Sequence, residues 1–264
     1  MRLDLRRFAL HSAVSTAVVA LGTACGFEMK TLLTCQATRA AVLSALDEAA
    51  GLHSGDTFLL TYSGHGGQVP DRNGDEDDYA DETWCLYDGE AIDDEIYYRL
   101  SKLAAGVRVL VLSDSCHSGT VTRGLYDALV ATGALRAVMP EHARQGAEIV
   151  FRAMPEDIAI RTYQRHRDFY DGLQASVPAA TLQQIRASVR LISGCQDNQL
   201  SADGTFNGMF TAALLGVWKT GRFEGTYRDF HRAIVDRMPP TQTPNHFVIG
   251  IPDPVFDAQN PFSL

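Results

Sequence analysis

Apolar residues fall into short clusters along the chain, and their spacing alternates between two kinds. Thr57–Ser63 (TFLLTYS) and Val107–Ser113 (VRVLVLS) are nearly unbroken apolar and β-branched runs bounded by Gly and Asp, the pattern of strands buried on both faces. Lys30–Thr34, Val189–Ser193 and His246–Gly250 are shorter strand signals. Between them Thr38–Ala50, Asp93–Leu103, Gly208–Lys219 and Tyr227–Arg237 carry helical spacing, and the acidic start of Asp93–Leu103 complements a helix dipole. Asp71–Glu82 reads as an acidic loop. From 121 to 188 the pattern turns helical and basic, which marks an insertion between two halves of one core. Strands alternating with helices predict an α/β three-layer sandwich around a parallel-dominated sheet.

The start of the chain fits this rhythm least. Phe8–Cys25 is apolar but interrupted by His11, Ser12, Ser15 and Thr16, and Arg2, Arg6 and Arg7 precede it. Residues 1–25 therefore read as an N-terminal helix or as the basic and apolar regions of an export signal, set before one domain spanning 26–264 with its insertion at 121–188. The polar interruptions, and the lack of another long apolar run, argue against a membrane-spanning helix.

Composition narrows the function. At 264 residues one α/β domain is ordinary, and a formal net charge of −9 opposes nucleic-acid binding. The cysteines are Cys25, Cys35, Cys85, Cys116 and Cys195, an odd set without a C-x-x-C pair, so neither a disulfide framework nor a zinc ribbon is indicated. A reducing compartment, and hence a cytoplasmic location, follows as the expectation, with export through the signal-like start as the alternative. A monomer that engages neither nucleic acid nor membrane is expected.

The chemistry concentrates where the two strongest strands end. The first runs into Gly64-His65-Gly66-Gly67 and the second into Asp114-Ser115-Cys116, with Cys116 51 residues after His65. A thiol of ordinary pKa is only a few per cent thiolate at neutral pH, and a neighbouring imidazole is the usual means of drawing off its proton. Ligands of open parallel sheets bind outside the carboxyl ends of the strands, which is where both residues fall. His117 is a rival base, but adjacent side chains on an extended segment point to opposite faces, which favours His65.

The segments YSGHGGQVPD (Tyr62–Asp71), DSCHSGT (Asp114–Thr120) and SGCQDNQLSADG (Ser193–Gly204) resemble the bacterial and type I metacaspases of the caspase-like clan. A histidine about fifty residues ahead of a cysteine nucleophile is the caspase-type order. The resemblance covers about Gly26 to Gly124 and Val189 to Leu264. It implies a caspase-hemoglobinase fold and a cysteine endopeptidase with a His65/Cys116 dyad, acting on proteins or peptides with Arg or Lys at P1. It further implies an oxyanion hole at the backbone N–H groups of Gly66 and Cys116, and a P1 pocket with Asp114 at its base and Ser63 in its wall. No cofactor is required by that chemistry, although calcium is implied at acids matching Asp81, Asp93 and Asp94. Arg123 stands near where the family carries a further acid, and a cation there would repel the metal.

The resemblance also sets expectations about what this chain lacks. The family's first core strand should precede Gly26-Phe27, and nothing before Phe8 reads as a strand, so the sheet is expected to be short of it through a misassigned start or a shortened chain. Two rival functions follow from the residues. Asp71, Asn73, Asp75, Asp77 and Glu82 fit an EF-hand frame that fails at its sixth position, where Glu76 replaces the glycine. A catalytically silent scaffold or regulator is the other alternative. Arg123, Arg161, Arg165 and Arg167 in the insertion are candidate sites of self-cleavage by an enzyme that cuts after basic residues.

Overall fold

The computed structural model describes residues 7–13, 17–72, 80–115, 154–177, 181–194, 208–238 and 242–263. Its centre is a six-stranded sheet. In chain order the strands are β1 (Arg7–Ala13), β2 (Glu28–Leu33), β3 (Thr57–Ser63), β7 (Arg108–Asp114), β8 (Ser188–Ser193) and β9 (Asn245–Gly250), arranged β2-β1-β3-β7-β8-β9. All pairs are parallel except β8 with β9. The strand order reverses between β1 and β3, and the crevice beside such a reversal is where open α/β sheets hold ligands.

Every residue of β3 is buried, and the period of two divides its side chains between the faces. Phe58, Leu60 and Tyr62 join Val109 and Val111 of β7 in one core, with Val42, Leu46, Ile96 and Leu100. Those four come from α2 (Arg39–Ala49) and α3 (Asp93–Leu100). Leu59 joins Leu110 and Leu112 on the other face, under α1 (Ala17–Ala24), α7 (Met209–Trp218) and α8 (Tyr227–Val235). A short α9 (Pro254–Ala258) closes the second layer with Phe256. Helix starts are fixed locally. Thr38 accepts from the Ala41 N–H before α2, and Thr226 and Asp229 form a reciprocal capping box at α8.

Two expectations are corrected. Arg7–Ala13, read as the front of a helix, is a strand inside the sheet, hydrogen-bonded along its length to β2 on one side and β3 on the other. Leu10 at its centre is fully buried. Pairing with two neighbours outweighs the weak local pattern of RFALHSA, and α1 starts only at Ala17. The sheet therefore includes a strand ahead of Gly26, and Arg7–Ala13 and Ala17–Ala24 are built into the same body as the rest rather than standing before it.

The second correction concerns Asp71–Glu82, of which 73–79 lie outside the described residues. Ala80–Leu86 forms strand β5 of a second, antiparallel sheet with β4 (Gly66–Pro70) and β6 (Gly89–Ile92). Acidic residues disguised this strand in the sequence. The EF-hand frame falls with it, since Glu82 sits within a strand and β4 precedes the loop in place of a helix.

Of the insertion, 121–153 and 178–180 lie outside the described residues. The remainder forms α4 (Glu156–Arg165), α5 (Arg167–Ser176) and α6 (Thr181–Gln184). Tyr163 and Tyr170 from these helices pack on Val69 and Ile92 of the small sheet.

Candidate active site

The register of β3 against β7 builds the site. Their last residues, Ser63 and Asp114, are paired, and the Gly64 N–H donates to the Asp114 carbonyl at 3.3 Å. His65 and Cys116 each follow two residues beyond that pair. In the sequence, the two candidate reactive positions thus follow the ends of neighbouring strands that finish at one level. Cys116 itself lies outside the described residues, as do Arg123 and residues 195–207.

His65 is exposed, and its backbone is held from two sides. Its carbonyl accepts from the Cys85 N–H at 2.9 Å and lies 2.7 Å from the Tyr62 hydroxyl. That hydroxyl is also 2.9 Å from the Cys85 carbonyl, and its single proton serves one of the two at a time. The Tyr62 ring stacks on Trp84 at 4.5 Å between centroids and 9° between planes. A Cβ at position 64 would stand 2.5 Å from the Tyr62 hydroxyl oxygen, so only glycine lets the turn pass this close. Gly66, the next residue, opens β4 opposite Trp84, and its carbonyl accepts from the Met154 N–H at 2.7 Å. The described end of the insertion is thereby tied beside His65.

Asp114 is 1% exposed. Alternation along the paired strands puts Asp114 and Ser63 on the face covered by α7. There the Thr211 hydroxyl donates to Asp114 Oδ2 at 2.5 Å, and a Cβ added to Gly208 would stand 2.2 Å from the same oxygen. A carboxylate at this level beside the strand ends suits a guanidinium or ammonium side chain. Thr211 and Gly208 were not legible as site residues, since α7 reaches Asp114 from about a hundred positions away and no spacing announces it. Tyr62 was visible only as part of its motif.

The cysteines separate by environment. Cys25, Cys35 and Cys85 carry free thiols. Cys85 lies in β5 next to the His65 carbonyl, but burial, and then the Glu90 carboxyl, push its thiol far up from the ordinary range. It is a half-buried thiol that burial keeps protonated. Glu90 is itself raised by burial, against the Thr83 hydroxyl donating to it at 2.5 Å and the nearby Arg39.

Asp81 is buried in β5, and Asp93 and Asp94 begin α3, with the Asp94 N–H donating to Asp93 Oδ1 at 3.0 Å. Among the described residues no group of three or more His, Cys, Asp or Glu side chains is placed to hold a metal ion. Nor is any helix among the described residues long and apolar enough to cross a membrane.

Comparison with known proteins gives a consistent result. The caspase domain family (Peptidase_C14) matches residues 19–256. Metacaspase-1 of Coccidioides immitis is 34% identical over 198 residues, covering 68% of this chain and 41% of its own length. Metacaspase-1 of Schizosaccharomyces pombe is 35% identical over 176 residues, covering 60% and 40%. The chain thus spans about two fifths of the length of these relatives. Among solved structures, a Geobacter sulfurreducens protein is 48% identical with a TM-score of 0.82, and the match covers 98% of both chains. Caspase-1 of Spodoptera frugiperda has a TM-score of 0.52 at 9% identity over 93% of this chain and 86% of its own, a likeness of fold alone.

Proposed function

The chain belongs to the caspase domain family and is metacaspase-like, and from that premise we propose that it is a cysteine endopeptidase that cleaves proteins or peptides after Arg or Lys. The observation that supports the reading is the paired end of β3 and β7 at Ser63 and Asp114, each two residues ahead of His65 and Cys116 in the sequence.

In this mechanism His65 takes the proton of Cys116, and the thiolate attacks the carbonyl carbon of the scissile bond. The oxyanion that forms is met by the N–H groups of Gly66 and Cys116. As the tetrahedral intermediate collapses, His65 returns the proton to the departing amine, leaving an acyl-enzyme on the Cys116 sulfur. A water activated by the same imidazole then releases the acid and restores the thiol. Asp114, braced by Thr211 and flanked by Ser63, receives the P1 cation and sets the basic preference. We assign no step to calcium. The enzyme works as a monomer in a reducing compartment, and Arg123, Arg161, Arg165 and Arg167 are its candidate self-cleavage points.

Fluorogenic peptides differing only at P1 provide the test. Turnover of Arg and Lys peptides is expected, with loss in both Cys116→Ala and His65→Ala, whose effects do not add because the two act as a unit. A variant keeping near-wild-type turnover would refute the dyad. Absence of turnover in the wild type, with partner binding unaffected by Cys116→Ala, would point to a silent scaffold.

A further inference from the structure

A cavity of about 100 Å³ lies between α3 and the face of β7, β8 and β9 opposite to Asp114. Register fixes its depth. Ser113, Ser193 and Asn245 are paired across the three strands at the level where β7 and β8 end, and they form its polar end. One row further in, Leu191 is paired with Phe247, and beyond that Val189 with Ile249, so the floor becomes apolar within two residues. Ile96 and Leu100 of α3 roof it, four residues and one helical turn apart. Glu82 and Asp93 also line it.

We propose that this cavity is a second substrate subsite, which takes one aliphatic side chain of leucine or methionine size from a residue other than P1. The inference rests on the peptidase reading. Its polar end reaches Ser113, one residue before Asp114 at the end of β7, yet on the opposite face of the sheet. A single extended substrate therefore reaches Asp114 and this cavity with different side chains. Size selects the occupant. A dry cavity of about 150 Å³ holds benzene, whereas drug-sized ligands need roughly 300 Å³ or more. An aliphatic side chain fits, and a whole cofactor does not. Charge selects further, because the Glu82 and Asp93 carboxylates in its lining repel an acidic side chain.

The test uses peptides with Arg fixed at P1 and every flanking position, on both sides of the scissile bond, set in turn to Leu, Ala or Asp. One flanking position is expected to favour Leu over Ala by about tenfold or more in kcat/KM, the usual size of discrimination by an apolar pocket, with Asp poorest. Ile249→Phe fills the cavity from the edge strand and should bring that Leu/Ala ratio close to unity, while the Arg/Ala ratio at P1, measured on the same protein, stays as in the wild type. Leu191→Phe fills it from β8 and gives a second reading should the first variant fold poorly. Asp93→Asn should relieve the penalty on Asp. A flat profile at every flanking position, or a Leu preference that survives both filling variants, overturns the subsite while leaving the peptidase intact. Failure to cleave any Arg peptide removes the peptidase reading, and the subsite with it.

Discussion

Gly208→Ala is the sharpest probe of how Asp114 is held. Gly208 has φ −53° and ψ 150°, a conformation that alanine adopts freely, so the backbone pays nothing. The added methyl would stand 2.2 Å from Asp114 Oδ2 and 2.8 Å from its Cγ. An ordinary carbon–oxygen contact is about 3.3 Å, so the carboxylate must retreat by about 1 Å. The Thr211 hydrogen bond, 2.5 Å long, cannot follow it. Losing a charge-assisted bond costs about 1.5–3 kcal/mol, and overpacking adds about 1–3 kcal/mol. Because the retreat relieves part of the clash, about 2–4 kcal/mol in total is expected, and each kcal/mol lowers the unfolding midpoint by about 2–4 °C in a chain of this size. A displacement of about 1 Å in a positioning group can reduce turnover about a hundredfold. The assay pairs thermal unfolding with kcat/KM on Arg and on non-basic P1 peptides, and the Arg value should fall far more steeply. A destabilised variant with unchanged Arg selectivity would refute Asp114 as the holder of the P1 cation, and wild-type stability would refute the packing itself. Thr211→Val, which removes the bond without the clash, should give the same direction with a smaller loss.

Three further outcomes follow from the site and its surroundings. Tyr62→Phe keeps the stack on Trp84 but removes the hydroxyl beside the His65 carbonyl, so stability should fall by only about 1 kcal/mol while kcat drops severalfold with KM little changed; unchanged kcat would show that the hydroxyl does not position His65. His246 is pushed from 6.5 down to about 4, by burial first and then by Arg190, with His231 and Arg228 adding and Asp257 opposing. It is neutral in the fold, so its contribution is complete above about pH 6.5 and is lost as the pH falls toward 4. At about 1.36 kcal/mol per pH unit, halved for partial exposure, that amounts to about 1–2 kcal/mol. Denaturant unfolding across this range should flatten in His246→Gln, and an unaltered slope would place the titration elsewhere. Chelation of calcium should change turnover by less than about twofold, whereas a large loss restored by calcium and absent in Asp93→Ala would show that the acids bind the ion with a donor outside the described residues.

The parts of the fold that were legible in the sequence are those whose pattern is self-sufficient. Thr57–Ser63 is buried on both faces and reads as a strand from its composition alone, and its bounds match the structure. Thr38–Ala50 carries its own cap and apolar stripe. Arg7–Ala13 has no such signature, because two flanking strands supply what its residues lack. Ala80–Leu86 was hidden by Asp81 and Glu82, which are held in the strand by pairing with Val69 and Gln68 of β4. The same division holds in the site. His65 and Cys116 announce themselves through glycines and strand ends, but Thr211 and Gly208 act on Asp114 only after α7 has packed on the sheet. Likewise, no local pattern foretells that Met154 bonds to Gly66.

The pairing of β7 with β8 bears on what a severed chain would look like. These strands are joined along Arg108–Ser113 and Ser188–Ser193, and the whole insertion lies between them in the sequence. Its described helices are fastened separately to the small sheet, through Met154 on Gly66, Gln174 on the Pro70 carbonyl and the Glu90 N–H on the Tyr170 hydroxyl. A nick ahead of Met154 therefore frees neither half. The product is a noncovalent heterodimer of fragments that elutes as one particle under native conditions and resolves into two bands only when denatured, so gel filtration alone would mistake a processed molecule for an intact one.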